Sequence, residues 1–343
     1  MTRKIVIATL ALLVLLGGVL MLNQQRLTDH VIRQRLLEQP DQTFLKKDDH
    51  VRVLICGTGS PEVSAAKAQS CTLVAAGGKV FLFDVGDGAV HSLAQSKVPI
   101  NDLTRVFITH FHSDHFNDLA PLINSVWIWG RKTPLEVQGP VGMREVIDGL
   151  TRAYALDEGY RAANMPHLDA ARAVARGVPL EIPFAQGQRS VRVYDQDGIT
   201  VDATLVIHDP VKPALGYTLT YKGKKVFISG DTEISPVYLD AMKGADLVVH
   251  EAYATHMVRQ AIPQMRAIGR DFEAEVIERT IPYHADTVAL AKQAEQAGTK
   301  HLVLTHMIPY PDGFVARHLF VQGISEHYHG KLTVGEDGML ITL

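Results

Sequence analysis

The chain has 343 residues, enough to bury a large core as one big domain or as two fused halves. With 46% hydrophobic and 21% charged residues, its composition excludes a disordered or collagen-like chain. A formal net charge of −3 carries no basic excess, so composition offers no electrostatic footprint for nucleic acid.

The first element is apolar. After Arg3 and Lys4, "IVIATLALLVLLGGVLML" runs from Ile5 to Leu22 without a charge. As a helix this run would span about 27 Å, just enough to cross a bilayer. A cleaved signal peptide shares the basic start and apolar middle. Here, however, Leu22-Asn23-Gln24-Gln25 offers no small-x-small cleavage site, so an uncleaved anchor over 1–22 is the expectation. Arg26, Arg33 and Arg35 beyond the helix weaken the positive-inside signal. A two-charge N-tail still most simply stays in the cytoplasm, which places the rest of the chain outside it (in the periplasm, for a bacterium). Residues 23–50, polar with Pro40, read as a short amphipathic spacer, and the folded domain is expected over 51–343.

From Val51 onward short β-rich runs follow one another: "VRVLIC" (51–56), "CTLVAA" (71–76) and "KVFLFD" (79–84), the last two joined by the turn signal "AAGGK". Cys56 and Cys71 could close one bridge if their strands are neighbours; buried thiols are the expectation. "TRVFIT" (104–109) is another strand, and "DHFNDLAPLINSVWIW" (114–129) has helical spacing. A strand "LEVQGP" (135–140) precedes a helix at 142–153. Residues 154–190, rich in Ala and Arg, read as a lid-like insertion. A second strand group follows: "SVRVYD" (190–195), "ITVDATLVIH" (199–208), "LGYTLTY" (215–221) and "KKVFISGD" (224–231), with "KGKK" (222–225) as a tight turn. "ADLVVHEA" (245–252), a helix over 285–298 and "KHLVLTH" (300–306) complete the pattern. Strands first and helices after, repeated twice, suggest two sheets packed face to face with helices outside.

"THFHSDH" (109–115) sits at the tip of the strand ending at Thr109. In a locally extended run alternate side chains point the same way, so His110 and His112 face together and Phe111 faces the core. Asp114 and His115 then fall at the start of the expected helix. H-x-H-x-D-H offers two nitrogens to one metal ion, and a carboxylate with a nitrogen to a second. Imidazole and carboxylate suit zinc, with manganese or iron as competitors. A solvated histidine cluster, or a carboxylate capping the helix, is the plain alternative. Further candidates close apolar strands elsewhere: His208 after "TLVI", Asp231 after "VFISG" and His306 after "LVLT". Singly each could be a satisfied polar group; together they supply the seven ligands that two metal ions sharing one carboxylate bridge require.

"LFDVGDG" (82–88), "ITHFHSDH" (108–115), "ISGDT" (228–232), "VHEA" (249–252) and "LTH" (304–306) resemble the metallo-β-lactamase superfamily. More narrowly, "VIHDPVKPALGYTL" (206–219) resembles its ribonuclease Z and zinc-dependent arylsulfatase branch; the P-G-H-T type motif of lactamases, lactonases and glyoxalases is not at that point. The resemblance implies an αββα four-layer sandwich, here behind an N-terminal transmembrane helix. It implies two Zn2+ per chain, with His110, His112 and His208 on one ion, Asp114, His115 and His306 on the other, and Asp231 as the bridge. It makes Asp84 the group that orients a ligand histidine; a strand-end cap for 85–97 is the alternative. It places a leaving-group proton on His284, oriented by Glu251, against the plain reading of a buried pair. Asp114, Glu251 and His284 are thus the expected catalytic side chains.

The implied reaction is hydrolysis, in which hydroxide formed between two metal ions attacks a tetrahedral phosphorus or sulfur. The expected substrate is a small anionic ester, a phosphodiester or an aryl or alkyl sulfate. Trp127, Trp129, Tyr253 and the 154–190 insertion could wall its pocket, although aromatics at helical spacing are more often core. Transfer-RNA 3′ processing, as by ribonuclease Z, is the alternative. Against it, only residues 218–230 separate Tyr217 from Asp231, which leaves no room for the long RNA-gripping arm common in that branch. Nucleic acid is therefore not the expected partner, and a homodimer is left open. A mononuclear iron persulfide dioxygenase is the reading from another reaction class; it would leave His306 and the Glu251–His284 pair without a task. His91, His167, His256, His301, His318, His327 and His329 lie outside the ligand pattern, with His256 near enough to Glu251 in sequence to border the pocket.

Overall fold

The computed structural model describes residues 2–35, 39–62 and 67–343, so residues 36–38 of the expected spacer lie outside the described residues. The chain divides into two units, Met1–Asp41 and Gln42–Leu343. In the first, helix Thr2–Leu22 is followed by helix Gln24–Arg35, and Ile5–Leu22 is long and apolar enough to cross a membrane.

The second unit is a sandwich. Six strands, β1 (Val51–Gly57), β2 (Cys71–Ala76), β3 (Lys79–Phe83), β4 (Leu103–Phe107), β5 (Glu136–Pro140) and β6 (Val178–Ile182), form one sheet. The next seven form the other: β7 (Ser190–Gln196), β8 (Ile199–His208), β9 (Val211–Tyr221), β10 (Lys224–Ile228), β11 (Leu247–Tyr253), β12 (His301–Ile308) and β13 (Lys331–Val334). The last strand, β14 (Met339–Thr342), returns to the first sheet and pairs antiparallel with β1. Each sheet is antiparallel where its strands are joined by hairpins and parallel where helices intervene.

Alternation along β1 shows how the layers form. Val51, Val53 and Ile55 enter the core between the sheets, beside Val201, Tyr217 and Val249 of the other half. Leu54 and Cys56 point the opposite way, into a core with Leu93, Leu122 and Met143 of the covering helices. Tyr238, Met242, Leu290 and Ala294 cover the outer face of the second sheet in the same manner. The four layers are therefore helix, sheet, sheet, helix, as the resemblance implied.

Several local expectations are corrected. Cys56 and Cys71 form a disulfide, because β1 and β2 are antiparallel neighbours and a bulge sets Gly57 opposite Cys71. Both sulfurs then lie in the same core cluster. Closing a loop of sequence separation 15 should contribute about 3 kcal/mol. The Cys56→Ala/Cys71→Ala double variant should accordingly melt several degrees lower than the parent, and the native protein should show no free thiol to a thiol reagent before denaturation. The 154–190 segment is no lid. It continues the long helix Met143–Asn164, contributes Leu168 and Val174 to a small core around Trp127, and ends as β6, paired in parallel with β5. The helix expected from Asp114 begins only at Leu119, after a single 3-10 turn, Ser113–His115.

Candidate metal centre

Every candidate ligand leaves the carboxyl end of a strand or follows one closely, the position where open α/β sheets place their sites. His110, His112, Asp114 and His115 follow β4, His208 ends β8, Asp231 follows β10, and His306 lies near the end of β12. Two glycines let the backbones approach. A Cβ at Gly86 would stand 2.1 Å from the Asp114 carbonyl oxygen. At Gly230, with φ +59°, it would stand 2.7 Å from both the Leu215 carbonyl oxygen and Thr109 Cβ. Asp84 (φ 59°) and His306 (φ 43°) hold left-handed backbone without being glycine, the kind of strain that gathers at functional sites.

The structure brings all seven predicted side chains together. His110, His112, His208 and Asp231 form one group able to hold an ion, and Asp114, His115 and His306 form another. Asp231 lies between them. Its Oδ2 is 4.0 Å from His110 Nε2, 3.8 Å from His208 Nε2 and 3.3 Å from His306 Nε2, while its Oδ1 is 3.3 Å from His115 Nε2. His306 Nε2 also reaches Asp114 Oδ2 at 3.0 Å. The centre is buried except at half-buried His112.

The residues fit divalent metal. His110 Nε2, His115 Nε2 and Asp231 Oδ1 are fully buried atoms without a hydrogen-bond partner. Buried polar atoms are rarely left so, and these three converge on the same space. The electrostatics agree. Burial drives His110, His112 and His208 below the usual histidine range, toward the neutral form that a metal needs. Burial opposes charge at His115 too, but Asp231, Asp84 and Asp114 outweigh it and hold its pKa well above normal. At His306 burial is likewise outweighed by Asp231 and Asp114, which raise the pKa to about 9. Burial would raise the two carboxylates, but the histidines hold Asp231 well below its ordinary value and lower Asp114. The buried carboxylates thus favour a cation beside His115 and His306, a place that a proton or a metal ion can fill.

A surrounding layer orients the imidazoles. His115 Nδ1 donates to Asp84 Oδ2 at 2.7 Å, and Asp84 is fixed by the Thr109 amide and hydroxyl, both at 2.8 Å. Asp84 is thereby a histidine-orienting carboxylate rather than a helix cap. His208 Nδ1 donates to the Tyr283 carbonyl at 3.0 Å, a partner the sequence did not announce. His284 Nδ1 lies 3.0 and 3.1 Å from the two Glu251 oxygens, and Glu251 Oε1 also accepts the Thr232 amide at 2.7 Å. The ring of Tyr253 stacks on His284 at 5.6 Å. His284 also comes close enough to Asp231 and His306 to form a third group.

Of the aromatics expected as pocket walls, Trp127 lies in a separate small core, Trp129 is 75% exposed, and Tyr253 is buried behind the site against His284. His256 Nε2 meets the Leu319 carbonyl at 3.0 Å instead of bordering the site. His329 pairs with Glu295 on the surface.

A family model described as "Anti-Pycsar protein Apyc1" matches residues 51–307. Ribonuclease Z of Mycobacterium sp. (strain KMS) is 35% identical over 262 residues, covering 76% of this chain and 85% of that protein. The chain belongs to the Apyc1 family and to the ribonuclease Z branch of the metallo-β-lactamase superfamily. Solved structures agree on the metallo-β-lactamase fold. The metallo-β-lactamase fold protein YhfI from Bacillus subtilis superposes with a TM-score of 0.62 at 20% identity, covering 86% of this chain and all (100%) of that one. Human tRNase Z, short form, gives 0.60 at 24%, covering 84% and 98%. The chain is a metallo-β-lactamase-fold hydrolase with a His/Asp cluster suited to divalent metal.

Proposed function

We propose that this protein is a binuclear, zinc-dependent phosphodiesterase acting on small anionic esters. The observation that carries it is the convergence of unpartnered His110, His115 and Asp231 atoms beside a histidine, His284, anchored to a buried glutamate. In this reading His110, His112 and His208 hold one ion, Asp114, His115 and His306 the other, and Asp231 serves both. When bound, the two ions supply Lewis acidity and lower the pKa of water so that hydroxide is available near neutral pH. The chain's own groups do the rest. Asp84 keeps His115 in one tautomer. Glu251 holds His284 by Nδ1, leaving Nε2 to give its proton to the departing ester oxygen as the P–O bond breaks and water's oxygen joins phosphorus. Phosphorus is favoured over sulfur because the relatives' names, ribonuclease and tRNase, denote phosphodiester cleavage.

Those names also support a second reading, cleavage of transfer-RNA precursors, and weigh against the expectation that nucleic acid is no partner. Against it stand the net charge of −3 and the β9–β10 hairpin, which turns within Lys222–Gly223 where an RNA-gripping arm would need to emerge. Apolar Ile5–Leu22 supports an uncleaved anchor over 1–22, followed by a spacer over 23–50 and the hydrolase over 51–343. The Cys56–Cys71 disulfide supports a catalytic domain outside the reducing cytoplasm.

The test is a panel: full-length protein with bis(p-nitrophenyl) phosphate, p-nitrophenyl sulfate and precursor tRNA, alongside elemental analysis. Rapid phosphodiester turnover with about two zinc ions per chain is expected. Preferred tRNA processing would replace the proposal with the second reading, and a single iron without hydrolysis would overturn both.

A further inference from the structure

We infer that the strand ends opposite the metal centre form a docking face for anionic phospholipid headgroups, so that the site opens to the aqueous phase; this rests on the reading of Ile5–Leu22 as an uncleaved anchor. Lysines mark the starts of four strands that each run parallel to a neighbour. Lys79 opens β3, Lys224 opens β10, Lys300 directly precedes β12 and Lys331 opens β13. The candidate metal ligands lie at the other, carboxyl ends of the sheets.

Both sheets contribute to this end. Lys79 Nζ lies 3.3 Å from Asp197 Oδ2 of the β7–β8 turn, and a Cβ at Gly77 in the β2–β3 turn would stand 3.1 Å from the Tyr221 ring. The chain arrives here as well. Gln42–Leu45 forms a 3-10 turn with Phe44 buried in the first core, and the Tyr221 hydroxyl donates to the Asp48 carbonyl at 3.1 Å. Lys46 and Lys47 are thereby held beside the two hairpin turns. Lys243 joins them, because its carbonyl accepts from Lys225 Nζ at 2.9 Å. Four local acids are already engaged: Asp48 by Arg52 at 2.9 Å, Asp49 by Lys222 at 3.6 Å, Asp197 by Lys79 and Asp246 by Lys300 at 2.8 Å. Lys46, Lys47, Lys224, Lys243 and Lys331 form no ion pair among the described residues, while Asp240 and the Leu343 carboxyl group offset part of the surplus. Single lysines are common on any surface. A surplus gathered where the chain arrives from an apolar helix of membrane-spanning length is another matter, because lysines near an anionic bilayer are drawn to it. Only residues 23–41 intervene, and their helix Gln24–Arg35 is itself basic, with Arg26, Arg33 and Arg35 against Asp29. A bilayer, rather than RNA, is the anionic surface that the chain itself brings to this face.

The experiment uses full-length protein in nanodiscs of phosphatidylcholine, alone or mixed equally with phosphatidylglycerol, and follows acylation of each lysine by mass spectrometry. Lys67, over the Tyr310 ring beyond β12, and Lys212, paired with Asp209 beyond β8, are controls at the opposite end. On the anionic discs, acylation of Lys46, Lys47, Lys224, Lys243 and Lys331 should slow at least about fivefold, with both controls unchanged. About 0.5 M sodium chloride should erase the difference. The triple variant Lys46→Gln/Lys47→Gln/Lys224→Gln, with a melting curve like the parent's, should lose the protection at Lys243 and Lys331. Equal acylation on both kinds of disc, or protection unchanged in the triple variant, overturns the inference and leaves the anchor reading intact. Protection by precursor tRNA, with none from phosphatidylglycerol, also overturns it and assigns the face to nucleic acid. Failure of the protein to elute with discs removes the anchor reading, and this inference with it.

Discussion

Asp231→Ala should lose metal and turnover together. The argument is positional: this one carboxylate lies within 4.0 Å of ring nitrogens from His110, His115, His208 and His306. It is 2% exposed, so no solvent dipole can take over its charge. Removing it leaves a group of imidazoles to share a cation without the anion common to both sets. Hydrolysis should fall on the order of a thousandfold or more, and bound metal from about two ions per chain to below one. Asp231→Asn keeps the shape while removing the charge, and separates chemistry from folding: without metal it should still melt cooperatively, at a lower temperature because His115 and His306 lose their buried counter-charge, and turnover should be lost. An Asp231→Ala protein that stays active while free of metal would refute the mechanism.

His284→Ala should produce a loss that depends on the leaving group. A general acid contributes about 10²–10⁴, but only where the departing oxygen is too basic to leave unaided. With p-nitrophenolate departing, the variant should lose only a few-fold; with an alkoxide it should lose about a hundredfold or more. Glu251→Gln keeps the contact with His284 Nδ1 but weakens its polarisation, and should show the same leaving-group dependence at smaller amplitude. Equal losses with both leaving groups would exclude proton donation. Because His284 also lies near Asp231 and His306, metal content measured on the same samples decides between the two roles. A proton donor leaves it unchanged, whereas a ligand lowers it.

Much of this was legible in the chain because its polar residues stop apolar strands abruptly. His208, Asp231 and His306 stand out after "TLVI", "VFISG" and "LVLT" because buried polar groups at strand ends are uncommon, and three of them beside a histidine cluster mark a site where one alone, such as buried His250, does not. The hairpins at Gly77–Gly78 and Lys222–Gly223 were equally plain, their positive φ values demanding those turn residues. What stayed hidden depends on distant partners. "KLTV" and "MLIT" become β13 and β14 only because β12 and β1 offer free edges. "VPLEI" carries a proline that argues against a strand, yet it pairs at the sheet edge, where proline is tolerated. The helices Thr255–Ala267 and Asp271–Thr280 went unread, the first with Pro263 inside its amphipathic pattern. The disulfide required the β1–β2 register, and the Tyr283 carbonyl on His208 required the fold itself.

The candidate ligands are divided between the sheets, His110, His112, Asp114 and His115 following a strand of one and His208, Asp231 and His306 the other. On the proposed reading, ions held by both act as rivets across a joint that hydrophobic packing otherwise closes alone. Their binding energy then counts toward cohesion of the whole sandwich. Heat tolerance of the protein would therefore follow the supply of divalent metal in its surroundings, and scarcity would loosen the molecule as well as silence it.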